Sequence, residues 1–223
     1  MKRKRHGKEV GVIILVALIV LSLAEVAFRA ATMGLDAMNT SNFGEQLAII
    51  ALAVTILILT AKGKDRACYI LYGAWIGYFV FDQIFELPGD IVTLIYNMSN
   101  VPIPSVSGII RIAISICIIC IGALLVEYMS DGTIFNKLFN TFCVLAVLFV
   151  LIFIITNVCI ITGVSTIATD VSHITNGMIT AEEFNANVIL DTFNNLYRLT
   201  MVFLMACFAY DSAKLQLEKT KLS

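Results

Sequence analysis

The chain has 223 residues, of which 59% are hydrophobic and 14% are charged, and its formal net charge is −1. A soluble domain carries about 45–50% apolar and about 25% charged residues, because polar side chains must cover its surface. The composition therefore excludes an ordinary soluble domain. It predicts an all-α integral membrane protein whose apolar excess faces lipid.

Long apolar runs recur along the chain and predict a bundle of about six transmembrane helices, at about 20 residues for each crossing. The predicted spans, in chain order, are residues 9–31, 46–61, 67–87, 107–128, 139–162 and 188–210. The third span is predicted to stop at Pro88-Gly89, because proline ends or kinks a helix. The loops between spans are too short for another domain, so residues 1–223 are predicted to form a single transmembrane domain.

The basic residues predict the orientation of the bundle. Twelve of the 15 Lys and Arg residues fall on one side of the six spans, and the other three lie within spans. The predicted external loops, which hold no Lys or Arg, are residues 34–45, 88–106 and 163–187. The positive-inside rule then places both termini in the cytoplasm. The same partition supports the sixth span, whose first half is polar, because without it Lys214, Lys219 and Lys221 would lie outside.

Charged residues inside the predicted spans gather at a similar outer depth on four helices. Each charge costs at least about 2.5–3.5 kcal/mol at mid-membrane on insertion scales, so such residues usually face the protein interior in pairs. Helical spacing of four or seven residues places the charges of one span on one face. The predicted cluster, with one aromatic residue, comprises Glu25, Arg29, Trp75, Asp82, Glu86, Arg111, Asp191, Asn195 and Arg198.

Two interpretations of this cluster are open. In the first, it lines a polar, aromatic-walled cavity with Trp75 as its floor, and the planar fork of arginine binds a carboxylate or phosphate. An anionic small molecule is then the expected ligand. In the second, the charges form an ion-pair cluster that holds the helices in register, and Trp75 is a packing residue.

The first function expected from these patterns is a small-molecule binding or transport subunit with its site in the outer half of the bundle. The alternative is a non-catalytic membrane scaffold, oligomeric effector or pore subunit, which associates with partner membrane subunits or with further copies of itself. An enzyme is less favoured, because the chain has no G-x-S-x-G elbow, no P-loop and no dinucleotide fingerprint. No catalytic residue is assigned.

Metal sites, cofactors and nucleic acid are not expected. The two histidines, His6 and His173, have no metal-ligand partner at a fixed spacing. The basic N-terminal segment, residues 1–8, is explained by membrane topology and by attraction to the anionic inner leaflet. The lipid bilayer is the expected partner, and the bacterial plasma (inner) membrane is the assumed location.

The predicted architecture resembles that of the substrate-capture subunits of energy-coupling-factor vitamin transporters. Those subunits have six helices, both termini inside, a ligand site near the outer surface and a loop that acts as a lid. The resemblance implies substrate capture, although a shared architecture does not establish a function. The family docks its partner through an A-x-x-x-A pattern on the inner part of the first helix. Here the pattern occurs at Ala27–Ala31, at the outer end, so the family is not assigned.

Overall fold

Six α-helices make up the part of the chain that the structure, a computed structural model, describes: residues 6–33, 40–100, 106–131, 135–161 and 181–220. In chain order they are α1 His6–Met33, α2 Thr40–Ala61, α3 Asp65–Asn100, α4 Val106–Asp131, α5 Phe135–Ile161 and α6 Ala181–Thr220. These residues contain no strand, and a short turn over residues 62–64 separates α2 from α3. The prediction of an all-α fold is confirmed for this part of the chain.

Five of the helices are long and apolar enough to cross a membrane, as in a multi-pass membrane protein. Their spans are Val10–Thr32, Phe43–Ala61, Arg66–Ile95, Gly108–Val126 and Leu138–Cys159. Large apolar side chains on these helices are exposed, with Phe85 at 66% and Val92 at 67%. Such surface suits lipid better than water. The predicted sixth span falls within α6, whose polar first half lowers its hydropathy, and it stays a prediction.

The course of α3 differs from the sequence prediction. The helix continues through Pro88 to Asn100, so the prediction that Pro88-Gly89 stops it at residue 87 is wrong. Proline lacks an N–H and removes one hydrogen bond from the helix ladder. In membrane helices such a break is tolerated, because neighbouring groups satisfy the freed carbonyl. As a result, Asp90 follows Glu86 by four residues on the same face of α3.

Other helix bounds also differ from the predicted spans. Helix α2 begins at Thr40, so residues 40–45 of the first predicted loop are helical. Helix α6 begins at Ala181, so residues 181–187 of the third predicted loop are helical as well. The remaining parts of the three predicted loops, residues 34–39, 101–105 and 163–180, lie outside the described residues.

The chain divides into two compact units. Unit 1 consists of residues Met1–Gly77 and Thr200–Ser223, and thus holds α1, α2, the start of α3 and the end of α6. Unit 2 consists of residues Tyr78–Leu199, and holds the rest of α3, α4, α5 and the start of α6. The organisation of residues 1–223 as a single transmembrane domain stays a prediction.

In unit 1, α1 packs along α2, and fully buried side chains such as Leu15 and Ile56 form the core. The start of α3 joins the end of α6 through Tyr69, whose ring stacks on that of Phe208 with centroids 4.6 Å apart. A side chain at Gly73 would meet Phe208 at ordinary contact distance, 3.7 Å. These contacts join the two sequence segments of which unit 1 consists.

In unit 2, α4 packs along α5. Buried residues on α5 repeat at intervals of three, four and seven, which places them on one face of the helix. They are Phe139, Ala146, Val150, Phe153 and Asn157. Helix α4 also meets α3 closely, because a Cβ atom at Gly122 would lie 2.7 Å from both methyl groups of Val80. Small residues permit such close approach between membrane helices, whose association relies on packing.

Candidate functional site

Polar side chains of α3, α4 and α6 come together in unit 2. We call this group the polar cluster, and its members are Gln83, Glu86, Asp90, Arg111, Ser115, Asp191, Asn195 and Arg198. Three of its residues, Gln83, Asn195 and Arg198, are at most 2% exposed, and Ser115 is fully buried. Buried polar groups in proteins are nearly always hydrogen-bonded. The partners of each member therefore indicate what the cluster is built to do.

A chain of hydrogen bonds joins the three helices through Glu86. The Arg198 Nη2 atom donates to Glu86 Oε2 over 2.7 Å. The same carboxylate oxygen accepts from Gln83 Nε2 at 3.3 Å. In turn the Ser115 hydroxyl donates to Gln83 Oε1 at 3.1 Å. The guanidinium of Arg198 is therefore fixed on one side by a chain that runs from α4 through α3 to α6.

The other two nitrogens of that guanidinium have no hydrogen-bond acceptor within the described structure. Arg198 Nε and Nη1 are buried and have no hydrogen-bond partner there. Arginine carries five N–H donors in a planar fork and remains charged in proteins. Leaving a buried donor unpaired costs about 1–3 kcal/mol, and more for a charged group. The N–H groups of Nε and Nη1 are thus held in place without an acceptor among the described residues.

Two buried acceptor oxygens accompany these donors. Asn195 lies one helical turn before Arg198, and its Nδ2 donates to the backbone oxygen of Asp191 at 2.8 Å. Its Oδ1 atom is buried and has no partner among the described residues, and the same is true of Asp90 Oδ2. Asp90 interacts electrostatically with both Arg198 and Arg111. Unmatched donors and unmatched acceptors therefore occur in the same polar cluster.

A second ion pair links α4 to α6. Arg111 Nη2 lies 2.9 Å from Asp191 Oδ2, and Arg111 Nη1 lies 4.0 Å from Asp90 Oδ1. These side chains are partly exposed, at 32% for Arg111 and 45% for Asp191. Arg111 therefore bridges acids on two different helices. Because its surroundings are more open than those of Arg198, the pair contributes less per contact to stability.

The neighbours of the polar cluster extend it to α5 and supply aromatic groups. Asn157 at the end of α5 is buried, and its Nδ2 donates to Thr192 Oγ1 at 3.0 Å. Phe79 and Tyr197 form an edge-to-face pair, with ring centroids 5.6 Å apart and planes at 89°. Such aromatic pairs add about 0.5–1.5 kcal/mol beyond the burial of their area. All four helices of the unit thus contribute to this region.

The predicted charged residues of the first span pair with each other in unit 1. Glu25 Oε1 accepts from Arg29 Nε at 2.9 Å and from Arg29 Nη2 at 2.7 Å. The other oxygen of Glu25 accepts from Gln46 Nε2 on α2 at 3.0 Å. Glu25 is buried, and it has partners for both oxygens. Trp75 also belongs to unit 1 and is buried, at 4% exposure.

The structure brings five of the nine predicted site residues into the polar cluster: Glu86, Arg111, Asp191, Asn195 and Arg198. Asp82 lies one turn before Glu86 on α3 and makes no ion pair with a described residue. The other three residues, Glu25, Arg29 and Trp75, lie in unit 1. That all nine form one cluster stays a prediction.

Sequence reasoning missed Gln83, Asp90 and Ser115. The sequence pattern predicts a loop at Asp90, because Pro88-Gly89 is a typical helix end. The spacing of four residues from Glu86 would have placed it on the same face. Gln83 and Ser115 are uncharged polar residues, three residues before Glu86 and four residues after Arg111 respectively. Polar residues at such positions usually face the protein interior.

Comparison with known protein families, with curated proteins and with solved structures finds no match to this chain. The chemistry of the site therefore rests on its own residues. Within the described ranges, no group of three or more His, Cys, Asp or Glu side chains is placed to hold a metal ion. The preformed features are the Arg198 fork and the two buried oxygens of Asp90 and Asn195.

Proposed function

We propose that this chain is a small-molecule binding or transport subunit of the plasma membrane, and that its ligand presents an oxyanion to Arg198. The ligand occupies the polar cluster, where the guanidinium is held by Glu86 at Nη2 and is unmatched at Nε and Nη1. Carboxylate and phosphate oxygens accept short, charge-assisted hydrogen bonds from such donors.

The unmatched nitrogens of Arg198 are the observation that carries this proposal. A buried charge that only holds helices in register needs a well-placed partner of opposite charge. Its remaining N–H groups also need hydrogen-bond acceptors, because burial of the charge is otherwise destabilising. Arg198 has one partner for one nitrogen and is only 2% exposed. By contrast, Glu25 in unit 1 has partners for both carboxylate oxygens. The Arg198 arrangement favours a binding group over a purely structural one.

The topology that accompanies this function has six spans and both termini in the cytoplasm. Five helices meet the length and apolarity of a span. The sixth span is proposed within α6, because it keeps Lys214, Lys219 and Lys221 on the side that holds the other loop lysines and arginines. In this orientation the polar cluster lies in the outer half of the bundle.

The test is ligand-dependent thermal stability of the full chain in lipid nanodiscs. The probes are acetate, inorganic phosphate, glycine and 4-aminobutyrate, each added at millimolar concentration. A ligand present at 100 times its Kd stabilises the folded state by about 2.7 kcal/mol. We expect at least one probe to raise the unfolding midpoint of the wild-type protein. The same rise is expected in Arg66→Gln, which removes an exposed arginine at the start of α3.

Two substitutions of the proposed binding group complete the test. Arg198→Gln removes the charge, and Arg198→Lys keeps the charge but offers a single nitrogen that Glu86 already occupies. Both are expected to abolish the rise in midpoint, and Arg198→Lys is expected to retain the helical circular dichroism of the wild type. If neither a probe nor a phosphatidylethanolamine nanodisc stabilises the wild type, or if Arg198→Lys responds as the wild type does, the proposal is wrong.

A structural role is the second candidate, because the two ion pairs each join separate helices. Glu86–Arg198 links α3 with α6, and Arg111–Asp191 links α4 with α6. In that case the chain acts as a scaffold, oligomeric effector or pore subunit with copies of itself or with other membrane subunits. A stable oligomer in nanodiscs, together with no response to any probe, would favour this function.

A further inference from the structure

We infer that the ligand of the polar cluster is zwitterionic and carries a protonated amine together with a carboxylate or phosphate. The inference rests on the proposed function and names the ligand class of the same site. The sequence alone led to an anionic ligand, because its arginines were the most conspicuous groups. The structure shows in addition buried oxygen atoms without a hydrogen-bond donor and an excess of acidic side chains. An anion provides neither an N–H donor nor a positive charge for these groups.

The acceptor atoms are the first observation. Asn195 is 1% exposed, and its Oδ1 atom is buried without a partner among the described residues. Asp90 Oδ2 is buried and unpartnered in the same way. Both oxygens require an N–H or O–H donor, whereas Arg198 Nε and Nη1 require an acceptor. A ligand with one group of each kind satisfies all three side chains.

The balance of charge is the second observation. The polar cluster holds three acids, Glu86, Asp90 and Asp191, against the two arginines Arg111 and Arg198. Two unit charges 4 Å apart interact by about 4 kcal/mol at an effective dielectric constant of 20. An anion alone would add to the excess of negative charge, whereas a zwitterion leaves it unchanged and gives the unmatched Oδ2 atom of Asp90 an N–H donor.

The arrangement of these groups is the third observation. Asn195 and Arg198 are three residues apart on one face of α6, which corresponds to about 4.5 Å along the helix axis. Asp90 on α3 interacts electrostatically with Arg198. The unmatched donors and the acceptor oxygens thus belong to interacting side chains. Both free amino-carboxylates and the headgroup of phosphatidylethanolamine carry the required pair of groups.

The experiment compares binding of single-group and two-group probes to the full chain in phosphatidylcholine nanodiscs, whose headgroup has no N–H donor. The probes are 4-aminobutyrate, butyrate and butylammonium, which share a four-carbon chain. We expect 4-aminobutyrate to bind at least tenfold more tightly than either single-group probe. Asp90→Asn is expected to remove this preference. Asp82→Asn makes the same charge change on the same helix and is expected to keep it.

The outcomes separate this inference from the proposed function. If butyrate binds the wild type as tightly as 4-aminobutyrate, the ligand is not zwitterionic, but the Arg198 site stands. If no probe binds the wild type, and phosphatidylethanolamine nanodiscs also leave the protein unstabilised, both are wrong. If phosphatidylethanolamine raises the unfolding midpoint without added probe, and Asp90→Asn abolishes the rise, the zwitterion is a lipid headgroup.

Discussion

Arg198 and Glu86 are 112 residues apart in sequence, yet Nη2 of Arg198 donates to Oε2 of Glu86 over 2.7 Å. The two partners differ greatly in exposure, since the side chain of Arg198 is 2% exposed and that of Glu86 is 46% exposed. The guanidinium of Arg198 is therefore a buried charge, whereas the carboxylate of Glu86 is partly exposed. The energetic consequences of removing either partner therefore differ.

We expect Glu86→Ala to destabilise the protein more than Arg198→Met does. Glu86→Ala leaves a buried guanidinium without its counter-charge, which costs about 3–5 kcal/mol. Arg198→Met leaves a carboxylate that is partly exposed. The double variant is expected to be more stable than Glu86→Ala alone, because the uncompensated charge is gone. Free energies of unfolding from denaturant titration in mixed micelles would check this order, and an Arg198→Met cost equal to or above that of Glu86→Ala would contradict it.

The close contact of α4 with α3 predicts a steric effect at Gly122. A Cβ atom there would lie 2.7 Å from both methyl groups of Val80, which is too close for any side chain. Gly122→Leu is expected to lower the thermal unfolding midpoint, with a cost in the range of about 1–3 kcal/mol typical of overpacking. Val80→Ala should restore part of the loss in the double variant.

Gly89→Ala is the matched control for that substitution. It lies on α3 in the same unit, and nothing lies within 4 Å of the position that a Cβ would occupy. Alanine is also the better helix former, by about 0.8–1.0 kcal/mol. Its unfolding midpoint should equal or exceed that of the wild type. Equal changes in the unfolding midpoint for Gly89→Ala and Gly122→Leu would show that the contact with Val80 does not restrict the size of the side chain at residue 122.

The hydrogen bond between Asn157 and Thr192 is expected to contribute little to stability. Such bonds between membrane helices average about 0.6 kcal/mol in double-mutant cycles. Thr192 also donates to the backbone oxygen of Val188 at 2.9 Å, so it keeps a partner when Asn157 is lost. We expect a coupling energy below about 1.7 kcal/mol between Asn157→Leu and Thr192→Val, as measured by chemical unfolding. A larger coupling energy would contradict this expectation and show that the bond contributes strongly to the stability of unit 2.

The proposed sixth span predicts where the C-terminus lies. Alkaline phosphatase is active only outside the cytoplasm of a bacterial cell, so fusions to it report the side of the membrane. We expect a fusion after residue 170 to be active and a fusion after residue 223 to be inactive. With five spans and the N-terminus inside, both fusions would be active, and the span within α6 would be excluded.

The helices of this protein and some of its local pairs are predictable from sequence. Hydropathy gave the five spans, because lipid-facing helices must be apolar along their length. The Glu25–Arg29 pair also follows from its spacing, since residues four apart on a helix are neighbours. The bond from Gln46 to Glu25 joins two helices, and no spacing rule predicts it.

The rest of the site depended on information that one sequence does not hold. Which acid faces which arginine is set by helix packing, as shown by Glu86 and Arg198. Asp90 was missed because proline usually ends a helix, whereas here the ladder continues past Pro88. The close fit of Val80 at Gly122 likewise depends on how the two helices cross. Ion pairs and packing contacts between helices are thus the features that the spacing of residues along one helix does not predict.

The most direct test of the Arg198 site is the ¹⁵Nε–¹Hε resonance of its guanidinium, followed by NMR in nanodiscs during titration with each of the oxyanion probes in turn. Arg198→Lys assigns the resonance by removing it. Arg29 serves as the internal reference, because its Nε already donates to Glu25 at 2.9 Å. We predict that the Arg198 resonance shifts downfield with saturation while that of Arg29 does not move. An Arg198 resonance that stays unchanged throughout the titration would contradict the proposed function.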